Sequence, residues 1–292
     1  MNTGTSTAER ARIGVQAMML KDAVAELGAF EAFRRAAGIG YRVAELSQIP
    51  MTAETVTELR RARDELGVEY CALSAGLGPG GNDSLEDDFD KIVADARALG
   101  AGLVRIGMLP MPALRSTDAI LDFCRRTDAA AVRLADEGLA LYYHNHHIEF
   151  AKIDGRHLLD VIADASPHVG LELDAHWIAR GGMDPARVIA QYAGRVRMIH
   201  LKDYRIALPD DAALDARERG DGEAWARAWT DVVQFAEVGE GNLDWPGIIA
   251  QSVASGADYL LVEQDELYGR TVWEALETSH RNLVEMGYGE LF

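Results

Sequence analysis

The sequence predicts an α/β fold, a single (β/α)8 TIM barrel with a long lid-like insertion after the seventh strand. Short apolar runs rich in β-branched residues alternate with longer segments of helical periodicity from one end of the chain to the other. Eight such pairs in 292 residues fit a closed parallel barrel. Since no linker or low-complexity segment interrupts the alternation, we expect residues 1–292 to form one domain.

The predicted strands are the apolar runs, whose near-continuous hydrophobicity is typical of parallel strands buried on both faces. In chain order they are Ile13–Met19, Tyr41–Ser47, Glu69–Ser74, Leu103–Met108, Ala140–Asn145, Val169–Leu173, Val196–Leu201 and Tyr259–Glu263. Between them, apolar residues recur at helical spacing, and some segments begin with N-cap and N1 signals such as Asp184-Pro185. The predicted helices are Ala29–Ala37, Ala53–Leu66, Leu85–Leu99, Ala119–Glu137, His157–Ala165, Pro185–Tyr192, Trp245–Ser255 and Val272–Met286.

A glycine-rich stretch, residues 76–81, follows the third predicted strand. An open doubly wound sheet would instead carry G-x-G-x-x-G after its first strand, and the sequence has none there. We interpret residues 76–81 as a flexible loop, with a phosphate cradle as the alternative.

One connection is much longer than the others. From Asp203 to Glu237, about 35 residues follow the seventh strand, where a few would suffice. The segment combines acidic residues with Trp225, Trp229 and Phe235. We interpret it as a lid carrying a short amphipathic helix over the barrel mouth, with docking of a partner as the alternative.

The charge balance excludes several kinds of partner. The chain has 29 Lys and Arg against 47 Asp and Glu, a formal net charge of −18. Nucleic acid and anionic membranes attract proteins through cations, so neither is expected as a partner. Only Cys71 and Cys124 are present, which suits a reducing compartment. The first 16 residues lack an apolar signal sequence, and we interpret them as a short lead-in to a cytoplasmic protein.

Ionisable residues end four successive predicted strands, the positions at which barrel enzymes carry their catalytic groups. The four segments are His144-Asn145-His146-His147-Ile148-Glu149, Asp174-Ala175-His176, His200-Leu201-Lys202-Asp203 and Glu263-Gln264-Asp265. Because side chains alternate along a strand, Asp174, His200 and Glu263 can all face the barrel mouth. Such a cluster would repel itself without a cation, and it suits Mn²⁺, Mg²⁺ or Co²⁺.

Two positions stay open at this stage. Either His144 or Glu149 could be the fourth member of the cluster, since Glu149 falls out of the strand alternation and would need a bulge or loop. Glu45 ends the second predicted strand and is a candidate for substrate binding, with a solvated rim carboxylate as the alternative.

The motifs also carry a family resemblance that covers nearly the whole chain. They are Tyr143-His144-Asn145-His146 with Glu149-Phe150, Leu173-Asp174 with His176, Asp184-Pro185, Ile199-His200 with Lys202-Asp203, Gly239-Glu240-Gly241 with Asp244, and Val262-Glu263-Gln264-Asp265. This set resembles the sugar phosphate isomerase/epimerase family of the xylose-isomerase-like TIM-barrel superfamily, which includes inosose dehydratases and ketose 3-epimerases. The resemblance implies one divalent ion, with Mn²⁺ expected first, held by Glu149, Asp174, His200 and Glu263. Many relatives have their first ligand, a Glu, where this chain has His144.

Such a site is expected to act on a sugar, polyol or keto-sugar. A metal-polarised carbonyl allows the neighbouring C–H to be deprotonated, and the enediolate then leads to isomerisation or epimerisation. The alternative is a lyase that uses the same enediolate for β-elimination, as in inosose-type dehydration or cleavage of a 3-keto-glycoside. The opposing hypothesis is a non-catalytic binding subunit in which the metal only stabilises the fold. By resemblance, we also expect a homo-oligomer, with a hetero-subunit as the alternative.

The remaining side chains receive catalytic or binding roles in this hypothesis. His146 and His144 are the first candidates for the general base, with Glu263 as the alternative. His176 and Lys202 follow metal ligands by two residues and could bind substrate hydroxyls or protonate a leaving oxygen. For Lys202, a salt bridge to Asp203 or a neighbouring carboxylate is the competing interpretation. Arg180 is a candidate for substrate binding at the rim.

Overall fold

Eight parallel strands close into a barrel in the computed structural model, which describes residues 11–292. With the four strands of two outer hairpins, the described residues contain twelve strands. In chain order they are β1 (Arg12–Gln16), β2 (Val43–Leu46), β3 (Glu69–Ala75), β4 (Leu103–Ile106), β5 (Ala140–His144), β6 (Lys152–Ile153), β7 (Arg156–His157), β8 (Gly170–Asp174), β9 (Val196–Leu201), β10 (Asp203–Ile206), β11 (Val233–Ala236) and β12 (Tyr259–Val262). The barrel order is β1-β12-β9-β8-β5-β4-β3-β2, and β6–β7 and β10–β11 are antiparallel hairpins. The (β/α)8 prediction is confirmed. Residues 1–10, most of the predicted lead-in, lie outside the described residues.

Helices surround this barrel. They are α1 (Lys21–Leu27), α2 (Ala29–Ile39), α3 (Ala53–Leu66), α4 (Phe89–Leu99), α5 (Thr117–Asp136), α6 (Leu158–Ala165), α7 (Ala175–Arg180), α8 (Pro185–Gln191), α9 (Asp211–Glu218), α10 (Gly222–Asp231), α11 (Trp245–Ala254) and α12 (Val272–Leu283). The predicted start of α4 at Leu85 was wrong, because residues 84–88 form a turn in which Asp88 accepts a hydrogen bond from the Ser84 N–H. Among the helices of residues 11–292, none has the length and apolar character needed to cross a membrane.

The long connection after β9 contains more structure than the sequence indicated. Strands β10 and β11 form a hairpin, and α9 and α10 are inserted between them, where one short helix was predicted. Trp225 and Trp229 pack on each other at 5.3 Å between ring centroids, and Trp229 is 61% exposed. Two aromatic residues of this insertion reach the barrel mouth: Phe235, on β11, stacks on His176 at 4.6 Å, and Tyr204, on β10, meets the same ring edge-on at 5.4 Å.

The side chains inside the barrel form an apolar layer and, two residues further along the strands, an ionisable layer. Its lower layer consists of the buried residues Val43, Cys71, Leu103, Tyr142, Met198 and Leu261, with neighbours. Two residues further along their strands lie Glu45, Arg105, His144, His200 and Glu263, all buried. Since residues two apart share a strand face, the same alternation that builds the apolar floor aims these side chains into the barrel above it.

Candidate metal centre

Four buried side chains converge at the carboxyl ends of neighbouring strands. They are His144 on β5, Asp174 on β8, His200 on β9 and Glu263 after β12, and we call them the upper group; each offers one ligand atom, all within 4.8 Å of one another. His200 Nδ1 lies 3.0 Å from His144 Nε2 and 2.7 Å from Glu263 Oε2. Asp174 Oδ2 lies 3.5 Å from His144 Nε2. The upper group therefore has the dimensions of a metal site.

In each carboxylate of the upper group, one oxygen accepts a hydrogen bond from outside the group and the other oxygen faces the other members of the group. Asp174 Oδ1 accepts a hydrogen bond from the Trp177 N–H at 2.9 Å, and Glu263 Oε1 accepts one from Gln16 Nε2 at 3.0 Å. Asp174 Oδ2 and Glu263 Oε2 are buried and face cationic side chains: Lys202 Nζ lies 3.4 and 2.8 Å from them, and His200 Nδ1 lies 3.6 and 2.7 Å from them. Buried carboxylate oxygens that face cations fit a role as ligands. Two carboxylates and two imidazoles suit a borderline-hard divalent ion.

The tautomer of His144 also suits a ligand. Its Nδ1 lies 3.2 Å from the Gly107 carbonyl oxygen, an acceptor, so Nδ1 carries the proton. Nε2 then directs a lone pair into the upper group. Burial, followed by the charge on His200, lowers the pKa of His144 to about 4. His144 is therefore neutral near neutral pH, the form that binds metals.

The carboxylates of the upper group are ionised. Burial opposes the charge of Asp174, but the Lys202 ammonium and the neighbouring imidazoles outweigh it and hold the pKa well below its ordinary value. For Glu263, Lys202 and His200 outweigh burial in the same way and lower the pKa. His200 shows the opposite direction: burial lowers its pKa, but the charges of Glu172, Glu263 and Glu45 raise it well above the ordinary value. The imidazolium supplies part of the positive charge that the carboxylates demand.

A second buried group lies on the other side of the His200 ring. Nε2 of His200 is 3.1 Å from Glu45 Oε2 and 3.2 Å from Glu172 Oε1. Arg105 Nε is 2.5 Å from Glu45 Oε1 and 3.2 Å from Glu172 Oε2. We call Glu45, Arg105 and Glu172, with Nε2 of His200, the lower group. Glu45 is 0% exposed, which contradicts the alternative of a solvated rim carboxylate.

Glu149 lies outside the upper group. It belongs to a 3₁₀ turn, residues 147–150, and both of its oxygens are engaged: Oε1 accepts from the Tyr143 hydroxyl at 2.5 Å and Oε2 from the His146 N–H at 2.8 Å. Burial raises its pKa. Of the two candidates for the fourth position, His144 lies with the other members of the upper group, whereas Glu149 stabilises the 3₁₀ turn.

His146 and His176 lie beside the upper group, on either side of Trp177. Their rings are 5.3 and 4.8 Å from the indole. His146 Nδ1 and His176 Nε2 are buried and have no hydrogen-bond partner within residues 11–292. Burial is the main cause that lowers the pKa of His146 to about 3 and that of His176 to about 4. Both are neutral at pH 7 with a free nitrogen.

Lys202 is buried among acids at the mouth. Its Nζ is 2.8 Å from Glu263 Oε2, 2.9 Å from Asp265 Oδ1 and 3.4 Å from Asp174 Oδ2. These carboxylates outweigh burial and raise its pKa, so it stays an ammonium. The salt bridge to a neighbouring carboxylate is present, but its partner is not Asp203. The carboxylate of Asp203 instead accepts from backbone N–H groups and the Trp245 indole, 2.7 Å away.

Comparison with known proteins agrees with the geometry. The family profile described as "Xylose isomerase-like TIM barrel" matches residues 33–277. The chain belongs to the xylose isomerase-like TIM-barrel family. Among curated proteins it is similar to the rhizopine catabolism protein MocC of Rhizobium meliloti, 29% identical over 170 residues, which are 56% of this chain and 48% of that protein. The chain thus spans about half the length of this curated relative.

Solved structures share the xylose isomerase-like fold at low identity. A sugar phosphate isomerase/epimerase from Parabacteroides distasonis superposes with a TM-score of 0.71 at 18% identity, covering 94% of this chain and 98% of that one. A structure of L-ribulose 3-epimerase gives 0.67 at 15% identity, with 96% and 95% covered. At such identities these likenesses establish the fold alone.

Several residues at this centre were not singled out from the sequence. Arg105 and Gln16 lie within predicted strands, and nothing in their local pattern marks them, because their partners come from distant strands. Trp177 follows Asp174 by three residues and donates its backbone N–H to it. Arg180, a predicted substrate residue, is exposed, with its guanidinium 5.9 Å from the Trp177 ring.

The glycine-rich stretch, residues 76–81, lines cavities rather than the upper group. A cavity of about 560 Å³ lies at the ends of β3 and β4, lined by that stretch, Gly107, Met108 and Phe123. Gly107 connects this cavity with the upper group, since its carbonyl oxygen holds His144. A second cavity of about 420 Å³ lies at the ends of β2 and β3.

Proposed function

We propose that this protein is a divalent-metal-dependent enzyme that isomerises or epimerises a sugar, polyol or keto-sugar by removing a proton next to a carbonyl. One observation carries the proposal. In the upper group, two buried carboxylate oxygens and two imidazole nitrogens converge at the carboxyl face of a xylose isomerase-like barrel. Barrel enzymes place their chemistry at this face.

The charge of the upper group supports one divalent ion. Asp174 and Glu263 are ionised, and the His200 imidazolium and the Lys202 ammonium face them. Metal ligands must be deprotonated, so a single Mn²⁺, or Mg²⁺ or Co²⁺ in its place, would replace the Nδ1 proton of His200. The ion would be held by the upper group, in which His144 takes the ligand position expected for Glu149.

In this proposal the chain's own residues bind the substrate and move its protons. When bound, the ion would supply the Lewis acidity that polarises the substrate carbonyl. His146 and His176, both neutral with a free nitrogen, would accept the proton or hydrogen-bond the substrate hydroxyls. The Lys202 ammonium would donate hydrogen bonds to the developing oxyanion. Arg180 would contact the outer end of the substrate.

A lyase is the second candidate, favoured by two observations. Lys202 lies against the upper group as a proton donor that a departing oxygen could use. The cavity of about 560 Å³ beside Gly107 is lined largely by apolar residues and could hold the leaving part of a keto-glycoside. The same enediolate would then expel its β-substituent instead of being reprotonated.

Location and assembly complete the proposal. Cys71 and Cys124 are buried free thiols, which supports a reducing, cytoplasmic location. Assembly into a homo-oligomer is part of the proposal.

The decisive experiment follows substrate C–H exchange. Protein loaded with Mn²⁺ is incubated in D₂O with a panel of keto-sugars, polyols and 3-keto-glycosides, and products are identified by NMR. Deuterium at the carbon next to a carbonyl, abolished by Asp174→Asn and by Glu263→Gln, is the expected result. A new alkene signal with release of an alcohol would instead select the lyase. Protein that holds the ion but exchanges no C–H on any compound would indicate the metal-stapled binding subunit.

A further inference from the structure

The lower group is built like a metal site. Glu45 and Glu172 offer carboxylate oxygens, and His200 offers Nε2, within 4.8 Å of one another and all buried. Both oxygens of Glu172 lie 3.2 Å from a cationic side chain, Oε1 from His200 Nε2 and Oε2 from Arg105 Nε. In these two respects the lower group repeats the upper group, and the two groups share the ring of His200.

One feature separates the two groups: the lower one contains a guanidinium. Arg105 Nε lies between the carboxylates, 2.5 Å from Glu45 and 3.2 Å from Glu172, and the side chain is 6% exposed. The space above it is closed, because a Cβ on Gly107 would lie 2.5 Å from Arg105 Nη1. The guanidinium is planar and permanently charged, so neither titration nor rotation removes it.

We propose that Arg105 acts as a built-in cation that fills a second metal-ligand group, and that this residue limits the chain to one divalent ion. Its Nε occupies the position between Glu45 and Glu172 that a second ion would need. A second ion would find ligands in Glu45, Glu172 and His200 Nε2. In the native chain the same nitrogen donates to these acids, which directs Nδ1 of His200 to the upper group.

The inference deepens the proposed function, since it concerns the metal content of the same site, and metal analysis tests it. Arg105→Met removes the charge at similar length, Arg105→Lys keeps a charge, and Arg97→Met is the matched control for a surface arginine paired with Glu137. Each protein is dialysed against excess Mn²⁺, and metal per folded chain is measured by elemental analysis. Arg105→Met is expected to hold about one ion more than wild type, with no gain in Arg105→Lys or Arg97→Met.

Electron paramagnetic resonance gives an independent signature. Two Mn²⁺ ions joined through one imidazole would be exchange-coupled, whereas a single ion gives an uncoupled spectrum. Equal metal content in Arg105→Met and wild type would overturn the inference, as would a gain in Arg105→Lys. Arg105→Met that fails to fold even in Mn²⁺-supplemented culture would also overturn it, because an ion in the lower group should replace the lost charge. If wild type held no ion, the proposed function would fail, while the difference between the two proteins would still decide this inference.

Discussion

His200 Nε2 lies 3.1 Å from Oε2 of Glu45, although 155 residues separate the two along the chain. The contact joins β9 to β2 across the barrel interior and fixes which imidazole nitrogen faces the upper group. In the proposed site, Glu45 would act as a positioning residue through its contact with the ligand His200. Such outer partners are worth nearly as much to a metal site as the ligands themselves.

Replacing Glu45 by Gln should weaken Mn²⁺ binding by about 10–100-fold, because the amide is a poorer acceptor for the His200 N–H. Titration calorimetry measures the affinity. Glu69→Gln is the matched control, since Glu69 pairs with Arg12 at the opposite end of the barrel. Unchanged affinity in Glu45→Gln would show that His200 needs no such support.

Removing the ion should destabilise the whole barrel. A ligand at 100 times its dissociation constant stabilises the folded state by about 2.7 kcal/mol, which for a chain of this size raises the melting temperature by roughly 5 °C. Chelator should therefore lower the melting temperature of wild type by that amount. Asp174→Asn, which removes a proposed ligand, should melt at one temperature with and without chelator. A wild-type protein indifferent to chelator would argue against a resident ion.

The metal-free protein should lose stability in mild acid. His144, His146 and His176 have folded pKa values of about 4, 3 and 4, below the ordinary value near 6.5. Between pH 6.5 and 4 the unfolded chain binds protons that the folded chain does not, so stability falls as pH falls. Each histidine contributes about 2 kcal/mol between pH 7 and 5. Two groups oppose this fall and are outweighed by the three histidines. The raised pKa of His200 restores stability as pH falls to 6.5, and Glu172, whose pKa burial raises to about 8, restores it as pH falls from 8 towards its ordinary value.

Urea unfolding at pH 7 and pH 5, with chelator present, tests the assignment. His176→Asn should lose about 2 kcal/mol less than wild type over this interval. His168→Asn, at a side chain 61% exposed, should behave as wild type. Equal losses in His176→Asn and wild type would contradict a buried neutral His176.

The barrel was predictable because its signal is repeated. Eight apolar runs each report burial on both faces, so an error at one boundary, as at Leu85, leaves the architecture unchanged. Strand alternation placed Asp174, His200 and Glu263 on one face, and the structure brings these three together. The alternation of side chains along a strand does not extend to Glu149, because a 3₁₀ turn follows β5. The Glu149 side chain hydrogen-bonds to the backbone of that turn, and such a turn leaves no periodic pattern in the sequence.

The lower group was not predictable for a different reason. Arg105 is an arginine within an apolar strand, and its meaning depends on Glu45 and Glu172, which lie 60 and 67 positions away. A single sequence contains no information on which strands are neighbours in space beyond chain order. The pairing of charges across the barrel appears only once the strands are closed.

Asp203 should matter for stability more than for chemistry. Its buried carboxylate accepts hydrogen bonds from Tyr204, Gly239, Gly241 and Leu243 N–H groups and from the Trp245 indole, and these contacts tie β10 to the segment before α11. Asp203→Asn puts an NH₂ group against donors, so we expect a loss of about 3 kcal/mol. Thermal unfolding measures it. Asp258→Asn, at a partly exposed pair with Arg197, is the control and should cost well under 1 kcal/mol.

Phe235 should be the residue of the long insertion that affects substrate. Its ring stacks on His176 at 4.6 Å and lies 5.9 Å from Trp177, whereas Trp229 packs only against the insertion's own Trp225 among its aromatic contacts. In the proposed lid, Phe235→Ala would open the wall beside His176 and raise KM about tenfold, because roughly 1.4 kcal/mol of packing is lost. Trp229→Ala should leave KM unchanged. A higher KM in Trp229→Ala with an unchanged KM in Phe235→Ala would contradict this prediction. It would indicate that the substrate is covered by the two tryptophans of α10 and not by β11.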